Sequence, residues 1–265
     1  MKLICLVKFV PDVDHFAYDF EKQALIRENS RLSMNPDDGC AVAYALFLKD
    51  KYPGTTIEVI TMAPISVKPH MEDLLRLGVD KGTILSDKDF AGSDTYATSK
   101  IISTYIKSLS YDCIFTGTHA IDGDTSHVPS QIAQWLDMPQ LSNIKCVKDI
   151  EFLKGFLQVE VDHETKTELY EIELPAILSL TRESGYKLPY IKKADMSRDV
   201  SGQLFIQGRK ELDLSEDETG LTGSKTKVKD VQVKHYGLRD RIHLKADEEG
   251  AAAVIQFMKE KGLLT

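Results

Sequence analysis

Short apolar runs alternate along this chain with stretches whose apolar residues recur at helical spacing, the rhythm of βαβ units around a mostly parallel sheet. Residues 3–10 (LICLVKFV) predict the first strand, and residues 24–34 predict a small hairpin turning at residues 28–30. Asn35-Pro36 then opens a helix to about Asp50, with Cys40, Val42, Ala43, Leu46 and Phe47 on its inner side. Residues 56–62 (TIEVITM) form a second buried strand ending at Ala63-Pro64, and residues 67–77 a helix closed by Gly78. A short strand over 82–85 leads to a helix capped by Ser93 or Asp94, with Ala97, Ile101, Tyr105 and Leu109 on one face. Residues 111–116 (YDCIFT) have the apolar centre of a strand buried on both faces, and residues 128–136 read as the helix that follows.

Beyond residue 152 the pattern changes. Residues 157–161, 168–174 and 176–180 alternate as short strands, with a polar turn over 163–166, which predicts antiparallel strands added to the sheet. Residues 182–200 lose periodicity and mix apolar residues with charges, and residues 208–229 are polar and dense in charge. They read as an arm and a linker. The end, 247–264, is an amphipathic helix whose Ala251, Val254, Ile255, Met258 and Leu263 need a surface to lie on. The organisation expected is an α/β domain over 1–184, an arm over 185–200, and a linker with a carboxyl-terminal helix over 201–265.

With 265 residues the chain is long enough for one sizeable α/β core and an appendage. No apolar run approaches the roughly twenty residues of a membrane span. The start passes directly into strand-like sequence containing Lys8, without a small-residue cleavage site, so a signal peptide is not expected. Cys5, Cys40, Cys113 and Cys146 lie far apart without C-x-x-C spacing, which predicts reduced thiols in a cytoplasmic protein and no metal site. A formal charge of −8 argues against a nucleic-acid partner.

The candidate chemistry centres on residues 117–128 (GTHAIDGDTSHV), between a parallel strand and a helix, where open α/β sheets bind ligands. Gly117 and Gly123 would let the backbone turn and approach a ligand. Thr118, Thr125 and Ser126 would offer amides and hydroxyls to a phosphate at a helix amino terminus. An ordinary loop in which Asp124, Thr125 or Ser126 caps the helix fits the spacing equally well. Ala63-Pro64 admits a flat ring or a plain turn, and the hydroxyls of Thr95, Thr98 and Ser99 serve a ligand or simply end a helix.

Five segments in register, VKFVPD (7–12), MNPDDGCAVAYAL (34–46), ITMAP (60–64), GTHAIDGDTSHV (117–128) and LPAILSLTRE (174–183), resemble the successive motifs of the electron transfer flavoprotein β subunit over nearly the whole chain. The resemblance implies a Rossmann-like, doubly wound, mostly parallel sheet of the adenine-nucleotide α-hydrolase type. It also implies a heterodimer with an α subunit that carries its own FAD. In one group of relatives the β subunit holds AMP as a structural ligand; in the electron-bifurcating group the same cleft holds a second FAD. FAGSDTYATS (90–99) is similar to the bifurcating group. That likeness implies hydride acceptance from NADH by the β-site FAD, one electron passing to the α-subunit FAD and one to ferredoxin. The chemistry belongs to the flavin, and no side chain is required as acid or base. The cofactor residues implied are Phe9, Ala63, Asp94, Thr95, Thr98, Ser99, Gly117, His119, Asp122, Thr125, Ser126, His127 and Val128.

Two positions depart from the family's pattern: Ala63 where glycine is usual, and His127 where glutamine is usual. Residues 185–194 (GYKLPYIKKA) resemble the family's dehydrogenase-recognition arm, with Leu188-Pro189 as the anchor and Tyr190 and Ile191 beside it. Packing of these residues back on the sheet is the alternative. Asp195, Met196 and Asp199 replace much of the family's basic run, which points away from a standard acyl-CoA dehydrogenase and toward another flavoprotein, such as an FAD-containing lactate dehydrogenase. The carboxyl-terminal helix is expected to dock on the α subunit.

Overall fold

A computed structural model describes residues 1–11, 18–19, 24–25, 32–148, 155–163, 165–227 and 243–264. In chain order the strands and helices are β1 (Lys2–Leu6), β2 (Phe9–Pro11), β3 (Tyr18–Asp19), β4 (Ala24–Leu25), β5 (Leu32–Met34), α1 (Pro36–Lys51), β6 (Thr56–Met62), α2 (Lys68–Arg76) and β7 (Lys81–Leu85). They continue with α3 (Thr95–Ile106), β8 (Cys113–Gly117), α4 (His127–Leu136), β9 (Gln140–Lys148), β10 (Phe156–Asp162), β11 (Thr167–Glu173), β12 (Ile177–Leu180), β13 (Leu204–Gln207), α5 (Gly220–Gly223) and α6 (Glu248–Glu260).

Among the described residues the main sheet has nine strands, in the order β11-β10-β9-β12-β8-β1-β6-β7-β13. Its centre is parallel, as the buried apolar runs predict: β1 pairs with β6 on one side and β8 on the other. Helices α1 and α2 contribute Val42, Tyr44, Leu48, Met71 and Leu75 to the core on one face, while Ile101, Ile106 and Ile132 of α3 and α4 fill the other. The chain winds β1, β6, β7 in one direction and then returns through α3 to β8 beside β1. The strand order therefore reverses between β1 and β8, and the crevice beyond their carboxyl ends is the position where doubly wound sheets bind ligands.

Two strand expectations change in the structure. Of the described residues in 24–34, β4 pairs with β3 and β5 with β2, because the end of the first strand turns out of the main sheet at Phe9. The expected turn, 28–30, lies outside the described residues. Strands β10 and β11 are antiparallel as their alternation predicts, but β12 is parallel to both of its neighbours, β8 and β9. All four residues of β12 are buried, and Ser179 meets its polar need by accepting a 2.8 Å hydrogen bond from Thr116 Oγ1.

The first compact unit extends to Lys227, past the expected boundary at 184. Residues 204–207 join the sheet edge against β7, and the polar stretch after them is ordered by its own hydrogen bonds. Ser215 and Glu218 cap each other reciprocally, Lys100 meets Glu218 at 2.7 Å, and Arg209 meets Asp89 at 2.8 Å. Gly220 has φ +58, and a Cβ there would lie 2.5 Å from the carbonyl oxygen of Asp89, so this closely packed turn requires glycine. Residues 208–227 therefore belong to the first compact unit. The second unit spans residues 228–265. Within it α6 is capped by Asp247, which accepts from Gly250 N, and Val254, Ile255 and Phe257 are exposed. Among the described residues no helix is long and apolar enough to cross a membrane.

Candidate functional site

The carboxyl ends of the paired strands β1 and β8 are joined by the start of α1. Pro36 at the first turn and the acidic pair Asp37 and Asp38 suit a helix amino terminus, and both carboxylates are buried. Asp38 accepts from Lys8 N at 2.7 Å and from Gly117 N at 3.0 Å, so one carboxylate pins the ends of both strands that flank the reversal. Burial drives the Asp38 carboxyl up to about 7, against those amide hydrogen bonds, which favour its charged form. Asn35, fully buried, donates from its side chain to His119 O at 2.8 Å and accepts from Ile121 N at 3.2 Å, while its own amide donates to Lys8 O at 2.9 Å. The MNPDD segment is thus a clamp on the candidate loop as well as a helix start.

Gly117 is needed for a different reason from the one expected. A Cβ at this position would lie 2.3 Å from Asp38 Oδ1 and 2.7 Å from Asp38 N, so the glycine admits the start of α1. Thr118 is buried and its hydroxyl is turned to the carbonyls of Ser179 and Leu180. His119 Nδ1 lies 3.1 Å from Asp37 Oδ2 and its Nε2 3.7 Å from Asp124 Oδ1; Arg182 Nε is 3.6 Å from Asp37 Oδ1. Burial raises the Asp37 carboxyl, and the neighbouring His119 and Arg182 only partly oppose it.

Past His119 the loop opens. Residues 122–127 are exposed, and Asp124 and Ser126 hold left-handed backbone with φ of +49 and +53. No side chain caps α4, so the reading of Asp124, Thr125 or Ser126 as a simple cap does not describe this helix. Among the described residues its first amides, at His127 and Val128, and the hydroxyls of Thr125 and Ser126 make no hydrogen bond. That arrangement fits a phosphate group.

The start of α3 is different. Asp94 caps it through Ala97 N at 2.9 Å, and its other oxygen accepts from Lys225 N at 2.9 Å, Thr226 N at 2.7 Å and Thr226 Oγ1 at 2.9 Å. Partial burial pushes the Asp94 carboxyl up, yet these hydrogen bonds outweigh it and hold the group below its ordinary value. Ser99 is fully buried, donating to Tyr96 O and accepting from Trp135 Nε1 at 3.3 Å, and Thr95 Oγ1 faces Gln131 Nε2 at 3.4 Å. Of this segment Thr98 keeps a half-exposed side chain without an internal partner. Phe9 is buried and stacks on His70 at 5.2 Å, and Ala63 is half-buried against the same core.

The 23–196 segment matches the electron transfer flavoprotein domain. The chain is 33% identical to the electron transfer flavoprotein subunit beta of Clostridium acetobutylicum over 98% of this chain and 99% of that one. It belongs to the electron transfer flavoprotein family, in its β-subunit branch. A second β subunit, from Thermoanaerobacterium thermosaccharolyticum, is 37% identical over 86% of each chain. The caffeyl-CoA reductase-Etf complex subunit CarD of Acetobacterium woodii is 32% identical over the full length of both. Family proteins are flavin-associated components of redox complexes, and the expected fold class and family are both confirmed here.

Within that family, sequence reasoning passed over Asn35, Asp38 and Lys8. Asn35-Pro36-Asp37-Asp38 reads as ordinary helix-start punctuation, and Lys8 as an interruption of an apolar run. Their shared signal is polar residues placed immediately at the end of a buried strand and at the start of the helix that follows it. The arm also differs from expectation. Leu188 packs against the core, its Cδ1 beside Gly39, and the Tyr186 ring lies 4.8 Å from that of Tyr44. Tyr190 is 97% exposed and Met196 61%. Pro189 is exposed and Ile191 half-buried.

Proposed function

We propose that this chain is the β subunit of an electron-bifurcating electron transfer flavoprotein, holding FAD in the crevice between β1 and β8. The observation that carries the reading is the uncapped start of α4 at the point of strand reversal, with free amides at His127 and Val128 beside the hydroxyls of Thr125 and Ser126. The full-length likeness to a subunit named for a caffeyl-CoA reductase-Etf complex supports it. FAD, when bound, supplies hydride acceptance from NADH and delivery of single electrons to the FAD of the α subunit and to ferredoxin. The chain's own task is to orient the ligand. Asn35 and Asp38 hold the loop against both strand ends, α4 and the hydroxyls take phosphate, and Thr98, His119, Asp122 and His127 border the ligand.

AMP in the same crevice is the second reading, and one observation favours it. Asp94 already spends its carboxylate on the start of α3 and on residues 225–226, which leaves α4 as the helix start open to phosphate and suits one phosphoryl group better than two. The absorption spectrum and nucleotide content of the purified heterodimer separate the readings: two FAD per dimer, or one FAD and one AMP. The exposed Tyr190 and Met196 of the arm are the docking surface for an FAD-containing dehydrogenase, of the lactate or acyl-CoA type. The exposed Val254, Ile255 and Phe257 of α6 dock on the α subunit.

A further inference from the structure

We propose that Lys8 is the residue by which this site distinguishes a nucleotide from its nucleoside, held in an ion pair with Asp122 until a phosphate arrives. The proposal rests on the nucleotide reading above and adds to it a side chain outside the expected cofactor set. Lys8 lies just beyond β1, on the crevice at the strand reversal. Its amide is held by Asp38, the carboxylate that also holds Gly117 N, and its carbonyl accepts from Asn35 N. The base of the side chain is therefore fixed on the same clamp as the candidate loop. Its ammonium is not: the side chain is 51% exposed, with Nζ 2.8 Å from Asp122 Oδ1 and 2.7 Å from Oδ2.

The charges around the loop make a cation necessary. Asp37, Asp38, Asp122 and Asp124 all stand on or beside it. Arg182 faces Asp37, and His119 sits between Asp37 and Asp124, so both already stand against carboxylates. A phosphate placed on the α4 amides and the hydroxyls of Thr125 and Ser126 would meet Asp122 and Asp124 with only backbone and hydroxyl dipoles in its favour and no fixed cation. Lys8 already reaches the loop. An ion pair this open to water contributes little to stability, so turning the ammonium from Asp122 to a phosphate oxygen costs little and gains a charge-assisted hydrogen bond. The flexible stem and three donors of lysine also let it keep one carboxylate oxygen while contacting the ligand. The selectivity that results concerns the phosphate and not the base.

The test is calorimetric titration of the full chain, purified with its partner subunit and stripped of nucleotide, with AMP and with adenosine. Lys8→Met is expected to raise the Kd for AMP about tenfold or more, the equivalent of one charge-assisted hydrogen bond, while leaving adenosine unchanged. Its AMP binding also becomes less sensitive to salt, and Lys8→Arg, which keeps the charge, restores most of the AMP affinity. Equal loss for AMP and adenosine, or loss for neither, would overturn the role of Lys8 while leaving the nucleotide site standing. A parent protein that binds AMP no better than adenosine, or binds neither, would overturn the nucleotide reading and this assignment with it.

Discussion

Replacing Asp38 by asparagine tests the clamp that builds the crevice. The Asp38 carboxyl moves from 3.8 to about 7 on folding, because burial disfavours its charge more than the amides of Lys8 and Gly117 favour it. Between those two values the folded chain binds a proton that the unfolded chain has released, so this group makes stability fall as pH rises from about 4 to about 7. At about 1.4 kcal/mol for each tenfold change in proton affinity, the fall amounts to about 4 kcal/mol. Asparagine does not titrate. Like the protonated carboxyl that the folded parent carries at low pH, it offers one carbonyl oxygen and one donor group, so the two proteins meet Lys8 N and Gly117 N with comparable hydrogen bonds there. The variant is therefore close to the parent in stability at pH 4 and gains on it by about 4 kcal/mol by pH 8. Urea unfolding of both proteins at pH 4, 5, 6, 7 and 8 measures the difference directly, and other titrating groups cancel in it. A difference that stays constant over this range would show that Asp38 does not carry the proton and that the clamp has been misread.

Three other substitutions probe separate parts of the molecule. Gly117→Ala forces a Cβ against Asp38 and should cost about 1–3 kcal/mol or more in thermal unfolding, even with no ligand present; an unchanged melting temperature would refute the packing argument. Asp94→Ala removes the cap of α3 and releases residues 225–226, so stability falls by about 0.5–2 kcal/mol and hydrogen exchange accelerates at residues 219–227; unchanged exchange there would refute the fastening role. In the arm, Leu188→Ala lowers stability by about 1–2 kcal/mol because it opens core contacts, whereas Tyr190→Ala changes stability by less than about 0.5 kcal/mol and weakens dehydrogenase docking by about 2 kcal/mol. Equal effects of the two arm substitutions on docking and on melting would contradict this division.

The parts that depend on local periodicity were legible in the order of residues alone. The strand over 56–62, the helix after Asn35, and the buried strand leading into residues 117–128 followed from apolar spacing and from Pro and Gly punctuation, since those signals act over a few residues. Five motifs in register gave the family, because together they sample most of the chain. Tertiary structure alone decided which residues share a carboxylate or a surface. Asp38 meets Lys8 and Gly117 across 30 and 79 residues of chain, and Asp94 meets Thr226 across 132. No local pattern announces such pairs. For the same reason β12 read as an added antiparallel strand although it lies parallel inside the sheet: four apolar residues are alike in either direction, and only their neighbours differ. Leu188 and Tyr190 are two residues apart and equally suited by composition to anchor a partner. The fold separates them, because α1 presents Gly39 to one and nothing covers the other.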